Sequence, residues 1–300
     1  MKLLASIAAG LLALASFVDA KQCIKRSSLT PVVDNFGANT SGTKMYIYVP
    51  AKLAARPPVI VAIHYCTGTA QAYYSGTPYA QLAEQYGFIV IYPESPYSGT
   101  CWDVSSTAAL THNGGADSNS IANMVTYTLN RYGGDESKVF VTGTNSGAMM
   151  TNVMAATYPE MFAAASVYSG VPAGCFYTGT VNGWNSTCAN GLSIHTQQEW
   201  ANTVFAMYPG YTGPRPKMLI FHGSADTTLY PENYNETIKE WSGVFGYDST
   251  APVETVPGTP EAAYTKYVYG PELTGYYAIG VGHTVPVHAD LDLAWFGITA

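Results

Sequence analysis

Val139-Phe140-Val141-Thr142-Gly143-Thr144-Asn145-Ser146-Gly147-Ala148-Met149-Met150 is the stretch on which the reading of this chain turns. It opens as an apolar run, as a strand buried on both faces requires, and continues into a helix-forming segment. Between them, glycines stand two residues either side of position 145. A strand that turns straight into a helix puts its central residue in a strained backbone conformation. Only small residues at two before and two after let strand and helix approach. The spacing therefore predicts a nucleophile elbow, G-x-S-x-G, with Asn145 where the serine would stand. The turn is kept and its hydroxyl is not. Two other readings stay open. The segment is a plain strand-to-helix loop, or the nucleophile has shifted to Ser146, flanked by Thr144 and Ala148. In the second case Ser146 would begin the helix and point away from the elbow tip.

Outward from the elbow, strands alternate with helices. Met45 to Val49 alternates and stops at Pro50, which predicts an outer strand. Pro58 to His64 and Phe88 to Tyr92 are continuous apolar runs, with a crossover helix over Tyr79 to Tyr86 between them. Ser118 is expected to cap a helix that carries Ile121, Met124, Val125, Tyr127 and Leu129 and ends at Gly133-Gly134. Further strands are read at Lys138 to Val141, Phe162 to Tyr168, Met218 to Phe221 and around Tyr264 to Tyr269. Helices are read at Ala148 to Tyr158, Asn233 to Phe245 and Asp290 to Phe296. With no internal repeat or linker, this alternation predicts one α/β domain with a mostly parallel sheet flanked by helices.

Two loops after the elbow complete a chemical set. Met218 to His222 leads into Gly223-Ser224-Ala225-Asp226, and Gly282-His283-Thr284-Val285-Pro286 places a histidine in a loop near the C-terminus. Nucleophile, acid, histidine is the chain order of the α/β-hydrolases. Asp226 would hold the His283 imidazole in one tautomer while His283 moves the proton. His288 is the rival, but it opens a helix and reads as surface. His64, His112, His195 and His222 have no metal spacing, so neither a metal nor a cofactor is expected. The loop His64-Tyr65-Cys66-Thr67-Gly68-Thr69 follows the first buried strand. It would supply a backbone N–H from Cys66 which, with that of Ser146, forms a hole for an anionic oxygen.

The composition narrows the partner. Of 300 residues, 47% are hydrophobic and 11% charged, and the formal charge is −7 with no basic run, which excludes a nucleic-acid ligand. Beyond the first twenty residues no apolar run approaches the roughly 18 needed to span a bilayer. Lys2 followed by the apolar Leu3 to Val18, and the small Ala20, form a secretory leader over 1–20. Lys25-Arg26 closes a propeptide over 21–26, leaving 27–300 as the domain. Removal of Cys23 turns five cysteines into four, as an oxidising compartment favours. Of three pairings, Cys175 with Cys188 is favoured because it staples a short Gly-rich loop, which leaves Cys66 with Cys101. Sequons at Asn39, Asn185 and Asn235 agree with export to the extracellular space.

These blocks resemble the fungal acetylxylan esterases of carbohydrate esterase family one, which have relatives that act as feruloyl esterases. The likeness runs over the mature chain through His64 to Ala70, Cys101-Trp102-Asp103-Val104, Leu110 to Gly115, Gly147 to Asn152, Gly170 to Cys175, His222 to Asp226 and Gly282-His283. It implies an α/β-hydrolase fold, position 145 as the nucleophile seat, and Asp226 and His283 as its partners. Where relatives read Gly-Thr-Ser-Ser-Gly, this chain reads Gly143-Thr144-Asn145-Ser146-Gly147. The implied reaction removes O-acetyl groups from xylan, by a secreted monomer with no cofactor, membrane or nucleic-acid partner. The alternatives are a feruloyl esterase, or a xylan-binding homologue that Asn145 leaves catalytically dead. Trp102, Tyr73 and Tyr74 are the aromatic candidates for stacking on sugars.

Overall fold

Why the elbow stands where it does follows from the sheet beneath it. The computed structural model describes residues 25–299, so the leader over 1–20 and most of the segment over 21–26 lie outside the described residues. Strands are β1 (Thr30–Val32), β2 (Lys44–Tyr48), β3 (Val59–Ile63), β4 (Ile89–Glu94), β5 (Val139–Thr144), β6 (Ala164–Tyr168), β7 (Lys217–Gly223), β8 (Glu254–Pro257), β9 (Tyr264–Gly270) and β10 (Leu273–Ala278). Helices are α1 (Ala70–Gly76), α2 (Tyr79–Tyr86), α3 (Ala116–Tyr132), α4 (Ser146–Thr157), α5 (Ser186–Ala189), α6 (Gln197–Met207), α7 (Glu232–Phe245) and α8 (Ala289–Phe296).

The strands form one sheet in the order β1-β2-β4-β3-β5-β6-β7-β10-β9-β8. From β4 to β10 neighbours are parallel, whereas β1–β2, β2–β4, β10–β9 and β9–β8 are antiparallel. The sheet is mixed, and the expectation of a mostly parallel one is corrected. The cause lies in the connections. β9 and β10 are joined through Pro271 and Glu272 alone, a link that only an antiparallel pair can use. β2, read as an outer strand, lies second from the edge of the sheet, with the short β1 beyond it.

Alternate residues of the central strands feed two cores. Val59, Val61, Ile63, Val139 and Val141 pack with α3, α4, α6 and α7 on one face. Ile60, Ala62, Val90 and Phe140 pack with α1, α2 and α8 on the other. Parallel strands buried on both faces have to be apolar throughout, which is what the runs of the sequence supply. The second face is pinned by one buried carboxylate. Asp292 of α8 accepts hydrogen bonds from Tyr79 (2.5 Å), Ser166 (2.5 Å) and Tyr168 (2.8 Å). Burial pushes its pKa up to about 6 against those three donors.

One local expectation is corrected. α3 begins at Ala116 with Gly115 in the cap position, and Ser118 sits inside the first turn, donating to the Ala109 carbonyl at 2.8 Å. Asp117 draws that turn inward by accepting from the Asp103 amide and the Thr43 hydroxyl. The cysteines pair as favoured, Cys66 with Cys101 and Cys175 with Cys188. Among the described residues no helix is long and apolar enough to cross a membrane.

Candidate active site

The parallel strands end together at one edge, and the chemistry-bearing loops leave from there. β5 delivers Asn145 at φ 57° and ψ −120°, and α4 starts at the next residue. The flanking glycines are demanded by contact. A Cβ on Gly143 would lie 2.4 Å from the Gly147 backbone, and one on Gly147 would lie 2.2 Å from the Ile63 carbonyl oxygen. No flexible side chain can give way at either place. Gly147→Ala should therefore destabilise the fold by about 3 kcal/mol, the upper end for core overpacking. Urea unfolding measures this, and an unchanged midpoint would show that α4 can retreat from β3. Asn145 is further held by its backbone N–H, which donates to the Tyr168 carbonyl at 3.0 Å.

The loop after β3 is clamped from behind. Trp102 Nε1 donates to the His64 carbonyl at 2.8 Å, the Thr67 amide donates to Gly99 O at 2.7 Å, and the disulfide to Cys101 ties the loop down. His64 donates from Nδ1 to the Tyr65 carbonyl, and its Nε2 accepts from the Ser95 amide. Burial pushes that imidazole's pKa down, so it stays neutral. The Cys66 N–H is thereby aimed at position 145 and donates to Asn145 Oδ1 at 3.1 Å. The expected hole for an anionic oxygen is thus occupied at Cys66 by the protein's own amide. The other expected donor, the Ser146 N–H, opens α4 and has no acceptor within the helix.

Asp226 leaves the end of β7 and is 2% exposed. Its Oδ1 accepts from the Thr228 and Leu229 amides at 2.8 and 2.9 Å, and its Oδ2 lies 2.7 Å from His283 Nδ1. His222 Nε2 adds a contact at 3.2 Å. Burial pushes this carboxyl's pKa up, but the bonds from His222, His283 and Thr228 prevail and hold it well below the usual carboxylate range. His283 comes from the loop after β10. With Nδ1–H assigned to Asp226, its Nε2 accepts from Asn145 Nδ2 at 2.5 Å.

Position 145, Asp226 and His283 are thus in one chain of contacts, with Cys66 and Ser146 beside it. Other candidates fall elsewhere. Ser146 is 3% exposed and its hydroxyl has no hydrogen-bond partner, so the shifted-nucleophile reading finds no base at that atom. His288, read as surface, is half-buried between Phe221 and Tyr264 rings. Trp102 is buried beneath the Cys66 loop and offers no free face to a sugar, and Tyr74 is half-buried with its ring against Tyr48 and Tyr92. Tyr73 is buried but is among the residues that line the cavity, its hydroxyl bonded to that of Thr144 at 3.0 Å. His222 was not singled out for the site, although its place four residues before Asp226 at a strand end was a readable signal.

Above these residues opens a cavity of about 670 Å³, lined among others by Tyr65, Cys66, Tyr73, Asn145, His283 and Val285. None of its lining residues is Lys, Arg, Asp or Glu, which suits a neutral ligand. Among the described residues no group of three or more His, Cys, Asp or Glu side chains is placed to hold a metal ion.

Residues 43–183 match the family model of esterase PHB depolymerases. The chain is 66% identical over 292 residues to a probable acetylxylan esterase A of Aspergillus fumigatus, covering 96% of this chain and 79% of that protein. It is 64% identical over 275 residues to acetylxylan esterase A of Aspergillus ficuum, with 91% of each chain covered. The solved acetyl xylan esterase from Aspergillus awamori superposes with a TM-score of 0.89 at 64% identity, covering 91% of this chain and all of that one. Kinship over this length, joined to a hydrolase-like constellation at the strand ends, makes the chain a member of the fungal acetylxylan esterase family of ester hydrolases.

Proposed function

We propose that the site is built to remove O-acetyl groups from the xylose units of xylan, on an α/β-hydrolase fold. Position 145 is the nucleophile seat, His283 the proton carrier and Asp226 the residue that holds it. The N–H groups of Cys66 and Ser146 would face the carbonyl oxygen of the ester. With a hydroxyl at 145, attack on the acetyl carbonyl passes its proton to His283. His283 then returns the proton to the departing sugar oxygen, and water releases acetate. One observation carries this reading. The side chain at 145 touches His283 Nε2 at 2.5 Å while the same ring meets Asp226 at 2.7 Å, the relay that acyl transfer needs. Asn145 itself favours a second reading, a homologue that binds acetylated xylan without turning it over.

The test uses Asn145→Ser with acetylated xylan and methyl ferulate. A higher kcat/KM on acetyl esters is expected, and a preference for the ferulate would assign the chain to the feruloyl branch.

We propose further that the protein is exported and acts as a monomer cut after Arg26. Lys25, Arg26 and Ser27 are exposed, and the two disulfides account for the four cysteines that follow. The mature protein should begin at Ser27 and hold no free thiol. N-terminal sequencing that finds Cys23 retained, or a thiol that titrates in denaturant, would reverse this. Of the three sequon asparagines Asn235 is exposed on α7, its amide donating to Glu232 one turn before, whereas Asn39 and Asn185 are half-buried and donate to the Thr43 and Cys175 carbonyls. A glycan is placed by this reading at Asn235.

A further inference from the structure

The side-chain amide of Asn145 occupies the position an acyl substrate would take. Its carbonyl oxygen receives the Cys66 N–H at 3.1 Å, and its nitrogen meets His283 Nε2 at 2.5 Å. A hydrolase holds a bond it is about to break in this way, with the oxygen on a preorganised donor and the leaving atom on the histidine. Asn145 and His283 both line the open cavity and both are partly exposed, which is where a water molecule would approach the amide. We propose that the site acts on itself and converts Asn145 to Asp by direct hydrolysis. This inference rests on the reading of His283 and Asp226 as the proton-carrying pair.

The step balances with water alone. His283 Nε2 takes a proton from a water molecule as its oxygen bonds to the Asn145 side-chain carbon. The amide oxygen, now carrying the negative charge, is held by the Cys66 N–H. In the tetrahedral state the nitrogen has lost its delocalisation and become basic. The imidazolium just formed lies against it and supplies the proton, the C–N bond breaks, and ammonia leaves. The new carboxyl ionises, so the net change is amide plus water to carboxylate plus ammonium. The product carboxylate keeps the Cys66 contact and gains a charged partner whenever His283 is protonated. It has no route back, so each chain turns over once.

Two features separate this from ordinary deamidation. Ring closure through the following backbone nitrogen needs no histidine and yields a mixture of aspartate and isoaspartate, whereas water attack gives aspartate alone. Asn113 and Asn182, each followed by glycine, report the ordinary rate within the same molecule.

The experiment incubates the full mature chain in heavy-oxygen water at neutral pH and maps its peptides by mass spectrometry. Expected is conversion at position 145 to normal aspartate carrying one heavy oxygen. It should fall at least about a hundredfold in His283→Ala, the scale of general acid–base assistance, while Asn113 and Asn182 are unaffected. A chain isolated already as aspartate supports the proposal only if the His283→Ala chain is isolated with asparagine. Should His283→Ala not fold by circular dichroism, Asp226→Asn serves in its place and should also slow the conversion. Equal rates in parent and variant, isoaspartate at 145, or asparagine unchanged over weeks would overturn the proposal. If the chain stays as asparagine while Asn145→Ser cleaves acetyl esters, only the self-conversion fails. If Asn145→Ser is inactive as well, the reading of the triad fails with it.

Discussion

Asn145→Ser should raise ester hydrolysis by several powers of ten over the chain with asparagine. An amide nitrogen is delocalised into its carbonyl and does not attack an ester, so the relay from Asp226 through His283 has nothing to activate. Losing the serine of such a triad costs on the order of a millionfold in turnover, leaving roughly 10³–10⁴ over water from binding and the oxyanion hole. The structure indicates that less than this residue remains here. Asn145 Oδ1 fills the Cys66 donor and Asn145 Nδ2 fills the His283 acceptor, so one of the two N–H donors and the base are already engaged. Two comparisons separate the lost hydroxyl from the blocked hole. Asn145→Ala should bind an acetylated xylo-oligosaccharide more tightly than the parent, because it clears the amide, yet it should stay near background in rate. Asn145→Ser should gain the rate. Steady-state assays with an acetyl-nitrophenyl ester and calorimetric binding report the two quantities. A fully active parent that Ser146→Ala inactivates without unfolding would return the nucleophile to Ser146, against the burial of that hydroxyl.

The elbow and its partners were legible because each is dictated by contact. Gly143 and Gly147 are small since a backbone stands within 3 Å of any Cβ there, and that need shows in sequence without a fold. Asp226 was readable because it follows the apolar run of β7, and His283 because Gly282 and Pro286 bound its loop late in the chain. The antiparallel margins were harder. β10, Leu273–Ala278, is broken by Gly275, whose bare face admits the Tyr234 ring, so it carries no apolar run to announce it. β1 and β8 are three and four residues long and gain their order from neighbours. α6 is a different case. Thr196 and Glu199 form a reciprocal capping box at its start, a local signal present in sequence that no expectation used. What could not be read was the side chain of Asn145 turning its own amide into the hole. That depends on where Cys66 and His283 arrive, 79 and 138 residues away along the chain.

In the Asn145→Ser background, Asp226→Asn should lower kcat by about 10⁴, the cost of losing the tautomer that presents Nε2 as a base. Asp226 Oδ2 can only accept, so it selects Nδ1–H on His283. An asparagine nitrogen in that place would donate and reverse the ring. His222→Gln should cost less than tenfold, since Asp226 keeps the Thr228 and Leu229 amides and His283 itself. Asp226→Asn also has a stability signature with a fixed sign. Asp226 ionises more readily folded than unfolded, so its contribution is fully present above the unfolded value of about 3.9. It is lost as pH falls from there toward the folded value. The stability gap between Asp226 and Asp226→Asn chains should therefore be widest near neutrality and narrow in acid. Urea midpoints taken from neutral pH downward measure it. A gap that stays constant with pH, or widens in acid, would mean that the carboxylate is not held ionised by its donors. The catalytic loss would then have to come from displaced packing and not from the tautomer of His283.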